Sequence, residues 1–127
     1  MVINNASAIA TEPTEELSAK KFDLTLLSLG WAAEYADTGV GFACLWPETY
    51  IATAAVTNLA DGDKMAARSR SPEIMADAAL EILVRSPADV NGKCFIDSAA
   101  LAKTGVTDLS GYGGGGDPIL DIFVDKP

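Results

Sequence analysis

The sequence predicts an α/β fold built on a small parallel sheet, and three observations carry that expectation. Two short apolar runs bounded by turn residues, Val40 to Leu45 and Cys94 to Ile96, read as buried strands. Helical stretches lie around and between them, and strands alternating with helices favour parallel pairing. Of the 127 residues 49% are apolar, enough for one domain with one modest core.

Residues 1 to 23 start apolar at Met1-Val2-Ile3 and then turn polar, with Thr11-Glu12-Pro13-Thr14-Glu15-Glu16 as a loop running into a helix start. From Leu24 to Tyr35 the chain is apolar nearly all round, with only Thr25, Ser28 and Glu34 as polar relief. Such a helix needs cover on more than one side, from a sheet and from a second layer or a partner subunit. Asp37-Thr38-Gly39 closes it. The Val40 strand stops at Trp46-Pro47. Ile51 to Ala60 reads as a helix and Asp61-Gly62-Asp63 as an acidic turn. Ser71-Pro72 starts a further helix, with serine as N-cap and proline at the first helical position. Its Ile74, Met75, Ala78, Ala79, Ile82 and Leu83 recur at helical spacing, opposite a wet face of Glu73, Asp77, Glu81 and Arg85. Asn91-Gly92 turns into the second strand, and Ser98 to Lys103 forms a short helix ended by Gly105. The tail is glycine-rich and then apolar from Ile119 to Val124.

Charge and composition exclude several classes of function. Eighteen acidic residues against nine basic ones give a formal net charge of −9, which repels phosphate backbones and anionic lipid. Nucleic acid and membrane are therefore not expected partners, and no apolar run reaches spanning length. There is no histidine, the commonest general base and metal ligand, and no CxxC spacing, so no metal site is expected. Cys44 and Cys94 each sit in an apolar run and read as buried, reduced thiols. The first residues lack the basic and apolar regions of a secretory signal, and the expected location is cytoplasmic.

Two segments could bind a ligand. Gly111-Tyr112-Gly113-Gly114-Gly115-Gly116 contains G-x-G-x-x-G, but a dinucleotide loop must follow a strand and open a helix. Here Asp117-Pro118 follows, close to the last residue, so the segment reads as a flexible loop. Trp46-Pro47-Glu48-Thr49-Tyr50-Ile51-Ala52-Thr53 leaves the carboxyl end of a strand, where open α/β sheets bind ligands.

Several runs, in order, resemble the short-chain dehydrogenase/reductase superfamily. Asn4-Asn5-Ala6-Ser7-Ala8-Ile9 is similar to its Asn-Asn-Ala-Gly motif. Leu24 to Asp125 resembles the portion from the helix after the catalytic tyrosine onward. Leu45 to Ala55 is similar to the hydroxysteroid-dehydrogenase-like branch, which carries Trp-Pro where most members carry Pro-Gly. Ser71 to Ala79, Gly105-Val106-Thr107-Asp108 and Asp121 to Asp125 resemble that branch as well.

The resemblance implies a partial Rossmann-like parallel sheet, the C-terminal half of a short-chain dehydrogenase, as a single incomplete domain over residues 1–127. The two family segments meet near Asp23 to Thr25. The cofactor implied is NAD or NADP, and the branch implies a lipid-like or terpenoid alcohol as substrate. Pro47 to Thr53 would hold the nicotinamide carboxamide through the backbone at Ile51 and the hydroxyl of Thr53, with Thr49 as the alternative. Asn4, Asn5, Ala6 and Ser7 would line the adenosine side. The helix over residues 24–37 is similar to one that packs between subunits, which implies a homo- or hetero-oligomer. Two family features are absent from these residues: the Thr-Gly-x-x-x-Gly-x-Gly turn and the Tyr-x-x-x-Lys pair. Four residues after Tyr35, Tyr50 and Tyr112 come Gly39, Ala54 and Gly116. Counting back from Leu29-Gly30 puts Leu17 and Lys21 at the pair's positions, whereas counting forward from Asn4 makes Lys21 a surface lysine. No catalytic residue is assigned, and the resemblance implies a dehydrogenase without turnover of its own.

Overall fold

The computed structural model describes residues 19–121, with side-chain surroundings from Leu26 onward. Asn4 to Ser7, Leu17 and the end of the apolar tail lie outside them, as does the side chain of Lys21. Helix α1 (Ala19–Glu34) is longer than the 24–35 span expected and is continuous through the junction at Asp23 to Thr25. It ends where Thr38 turns back, its hydroxyl and its N–H both donating to the Tyr35 carbonyl, and Gly39 follows at φ +76°.

Strand β1 (Ala43–Trp46) pairs in parallel with β2 (Lys93–Ile96), matching Cys44 with Cys94 and Leu45 with Phe95. Between them run α2 (Ala54–Thr57), α3 (Gly62–Ala67), α4 (Glu73–Leu83) and α5 (Pro87–Val90); α6 (Asp97–Ala102) follows β2 directly. Ile74, Ala78 and Ile82 of α4 bury one face against Phe95, Val90, Ala100 and Leu101, with Leu45 and Ile51 packed beside them. This is the expected helical stripe meeting one face of the sheet. Leu83 is 42% exposed and falls outside it. Ser71 stands one residue before the α4 cap, and its hydroxyl holds the Glu73 carboxyl below the usual range.

Several expectations change. Residues 40–42 precede β1 rather than belonging to it, because Gly41 passes within 2.9 Å (measured to a hypothetical Cβ) of the Pro87 carbonyl and Phe42 is tied elsewhere. Phe42 N–H donates to the Asn91 side chain at 3.0 Å, and Asn91 in turn donates to the Ala32 carbonyl at 2.8 Å. Asn91 thereby docks α1 to the start of the sheet, where Trp31 and Tyr35 close on the Phe42 ring. The strands are not fully buried. With two strands paired among the described residues, one sheet face lacks full cover, so Cys44 is half-buried and Cys94 exposed. The helix expected over Ile51 to Ala60 shrinks to α2, since Ile51 is bridged to Arg70 and Thr53 is still extended. The acidic turn instead opens α3: Asp61 adopts a left-handed conformation and Gly62 packs directly on the Thr57 backbone.

Candidate functional site

The carboxyl ends of β1 and β2 meet at one corner, because parallel pairing brings Trp46 level with Ile96. The next residue after β2, Asp97, is fully buried. Its Oδ1 accepts from Glu48 N–H at 2.9 Å and from Ser98 N–H at 2.6 Å, while Oδ2 has no partner. One carboxylate thus fixes the turn after β1 to the start of α6. Burial pushes the Asp97 carboxyl above the usual range, against the two N–H donors and the nearby Arg70 charge that pull it down; Glu48 adds to the rise.

Arg70 braces the same turn from the other side. Its Nη1 lies 2.7 Å from Glu48 Oε2, with the two side chains 11% and 33% exposed. Its N–H donates to the Tyr50 carbonyl at 2.9 Å and its carbonyl accepts from Ala52 N–H at 2.8 Å. The opposite edge of the turn is held by the tail, where Tyr50 N–H donates to the Ile119 carbonyl and Asp121 N–H to the Glu48 carbonyl. Residues 48–52 are therefore pinned by backbone bonds on two sides. An open cavity of about 260 Å³ lies alongside, walled by Glu48, Ser98, Ala99, Ala102, Val106 and Leu109 among others.

The structure separates the four turn residues singled out in the sequence. Pro47 is half-buried. Thr49 is completely buried, its hydroxyl donating to the Tyr50 carbonyl at 3.2 Å. Thr53 is exposed at the start of α2, and its hydroxyl caps nothing. Ile51 is half-buried, and its amide has a definite direction. A trans peptide sets the Ile51 N–H opposite the Tyr50 carbonyl, which accepts from Arg70, so this N–H points away from Arg70. The Ile51 carbonyl accepts from Thr53 N–H at 2.7 Å, folding the two residues together. Ile51 and Thr53 are thus brought close and Thr49 is turned inward.

The glycine-rich segment neither follows a strand nor opens a helix. Gly113 is bridged to Arg70, and Gly113, Gly114 and Gly115 all take positive φ. Rather than a flexible loop it is a backbone brace: Tyr112 accepts from Ser71 N–H at 2.7 Å, and a side chain at Gly114 would press on Pro118 at 3.1 Å. Tyr112 donates its hydroxyl to Asp77 at 2.7 Å, and that bond holds its phenol above the ordinary value. A neighbouring lysine would act in the reverse direction, lowering a tyrosine toward proton-transfer duty. Among the described residues no group of three or more His, Cys, Asp or Glu is placed to hold a metal.

Sequence reasoning passed over Asp97, Glu48 and Arg70. The one signal was an aspartate at the boundary of the Cys94 strand and the Ser98 helix, a usual place for a helix-initiating acid. Nothing in the spacing links it to Glu48, forty-nine residues away.

Comparison with known proteins bears on this corner and the sheet behind it. No family model matches the chain. The Hydroxysteroid dehydrogenase-like protein 2 of Xenopus tropicalis is 38% identical over 108 residues, covering 84% of this chain and 25% of the relative. A short chain dehydrogenase from Mycobacterium thermoresistibile superposes with a TM-score of 0.77 at 32% identity, over 98% of this chain and 64% of that one. A candidate dehydrogenase from Xanthomonas campestris gives 0.74 at 40% identity, over 84% and 39%. The chain spans about a quarter of the length of the curated relatives it matches. No helix among the described residues is long and apolar enough to cross a membrane. Since the relatives agree in both sequence and fold, and the paired parallel strands with their connecting helices match part of a Rossmann-like sheet, this chain belongs to the short-chain dehydrogenase/reductase superfamily, in its hydroxysteroid-dehydrogenase-like branch.

Proposed function

We propose that this chain supplies the nicotinamide-side corner of a short-chain dehydrogenase and carries out no hydride transfer by itself. The observation that carries the proposal is chemical. None of Tyr35, Tyr50 and Tyr112 has a lysine four residues on, and Tyr112 is tied to a carboxylate instead. Without that pair there is no proton relay, a step worth roughly 10²–10⁴-fold in rate.

The fit to NAD or NADP is partial. The Ile51 N–H, aimed away from Arg70, and the exposed Thr53 hydroxyl, which caps no helix N–H, are donors two residues apart, suited to a carboxamide. Thr49, buried and already bonded, suits that role less than Thr53. Pro47 ends β1 and starts the turn that carries both donors. Asn4, Asn5, Ala6 and Ser7 are assigned to the adenosine side by resemblance alone. The Thr-Gly-x-x-x-Gly-x-Gly run that would receive the pyrophosphate does not occur in this sequence, which favours weak binding. A bound nicotinamide would supply the hydride; the role of this chain's residues is to orient its ring.

The test is titration of the 127-residue chain with NADH and with NADPH, followed by assay with alcohols and carbonyl compounds. Expected are no saturable fluorescence change and no coenzyme-dependent turnover. Turnover at the rate of complete relatives refutes the proposal. A second reading is favoured by α1 and the turn after it, where Leu26, Leu27, Leu29, Trp31 and Tyr35 are all exposed: residues 24–37 act as a docking face for another copy or a complete relative.

A further inference from the structure

We infer that Cys44 and Cys94 form a two-thiol site that closes to an intramolecular disulfide when a small-molecule disulfide reacts with it. The two residues are direct partners in the β1–β2 register. Parallel neighbours run about 4.8 Å apart, inside the span over which cysteine Cα atoms are bridged. Side chains alternate along a strand, so the pair shares the face opposite Phe95, which is buried in the core, and Leu45, which packs against it. The two thiols are near enough for Cys44 to raise the Cys94 thiol. Burial, then the neighbouring Cys44, pushes the Cys94 thiol up, which keeps that thiol protonated until an oxidant arrives.

Their unequal exposure orders the chemistry. The exposed Cys94 is the thiol that solution reagents meet, and the half-buried Cys44 lies against it. With glutathione disulfide, Cys94 loses its proton and attacks one sulfur, expelling a glutathione thiolate and forming a mixed disulfide. Cys44 then loses its proton and attacks the Cys94 sulfur, breaking that mixed bond and expelling the second glutathione. The protein gives up two protons and two electrons, and the oxidant leaves as two thiols. The new bond ties β1 to β2 just before Trp46 and Asp97, fastening the corner that carries the turn.

Intact mass after incubation of the reduced chain with glutathione disulfide, quenched by alkylation, tests this. Expected is a species lighter by two hydrogens, unalkylated at both positions, monomeric without reductant and restored by dithiothreitol. Cys44→Ser is expected to stop at a glutathione adduct on Cys94. Phenylarsine oxide, which spans adjacent thiols, is expected to shield both cysteines from alkylation, a readout on the unaltered chain that needs no variant to fold. A stable glutathione adduct on the unaltered chain, a disulfide-linked dimer, or independent alkylation of both thiols in the presence of the arsenical overturns the inference.

Discussion

Asp97 is a carboxyl sealed from water, with one oxygen holding two backbone N–H groups and the other unpaired. Removing the acceptor strands both donors in the interior. Asp97→Ala is therefore expected to cost about 2–3 kcal/mol of unfolding free energy in a urea titration. Its proton makes a separate prediction. Burial raises the folded value, so the folded state holds this proton more tightly than the unfolded chain does. Stability contributed at Asp97 then falls as pH rises from the unfolded value, about 3.9, through the raised folded value, and is level above it. Relative to Asp97→Asn, the unaltered protein should gain stability on acidification through that window. A difference that is flat with pH would contradict the assignment.

The elements owe their placement to a few close approaches. Helix α4 meets the sheet through Ile74, wholly buried at the centre of the core. Ile74→Ala should lower stability by about 2–5 kcal/mol, read from the denaturation midpoint. The α2–α3 corner depends on Gly62, where an added Cβ would collide with the Thr57 backbone. That neighbour is main chain and has little room to give, so Gly62→Ala should cost about 1–3 kcal/mol in a thermal melt. Gly30, inside α1 with open space around it, is the contrasting site. There Gly30→Ala should stabilise the helix by up to about 1 kcal/mol, and a loss instead would mean that α1 is covered at that point.

Taken whole, the molecule has a well-packed half and a poorly covered half. The α4–α6–β2 side holds the core cluster, with the cationic groups of Arg85 and Lys103 lying over the Phe95 ring, although Leu80 and Leu83 on the far side of α4 stay exposed. On α1 large apolar side chains face solvent as well, and more of them in a row: Leu26 is 57% exposed and Trp31 40%. A row of this kind on one helix usually meets a partner surface. Self-association is expected to show as an apparent mass that rises with concentration in sedimentation, and Leu26→Glu with Leu27→Glu should abolish the rise. Monomeric behaviour of the unaltered chain at all concentrations would count against α1 as a docking face.

Much of this was legible in the amino acids, and for local reasons. The α4 stripe of Ile74, Ala78 and Ile82, the parallel strand pair, the stop at Trp46-Pro47 and the kinship with short-chain dehydrogenases all follow from short-range spacing or contiguous motifs. Other features depend on residues far apart in the chain. Arg70 reaches back to Tyr50 and straightens what reads as a helix start at Ile51, and Asp97 clasps Glu48 across forty-nine residues. The difference between a buried Thr49 and an exposed Thr53 comes from which edge of the turn the tail covers. Cys44 and Cys94 face each other only once β1 and β2 are in register. Periodicity reports the environment a segment needs; which distant groups provide it is known only when the chain has closed on itself.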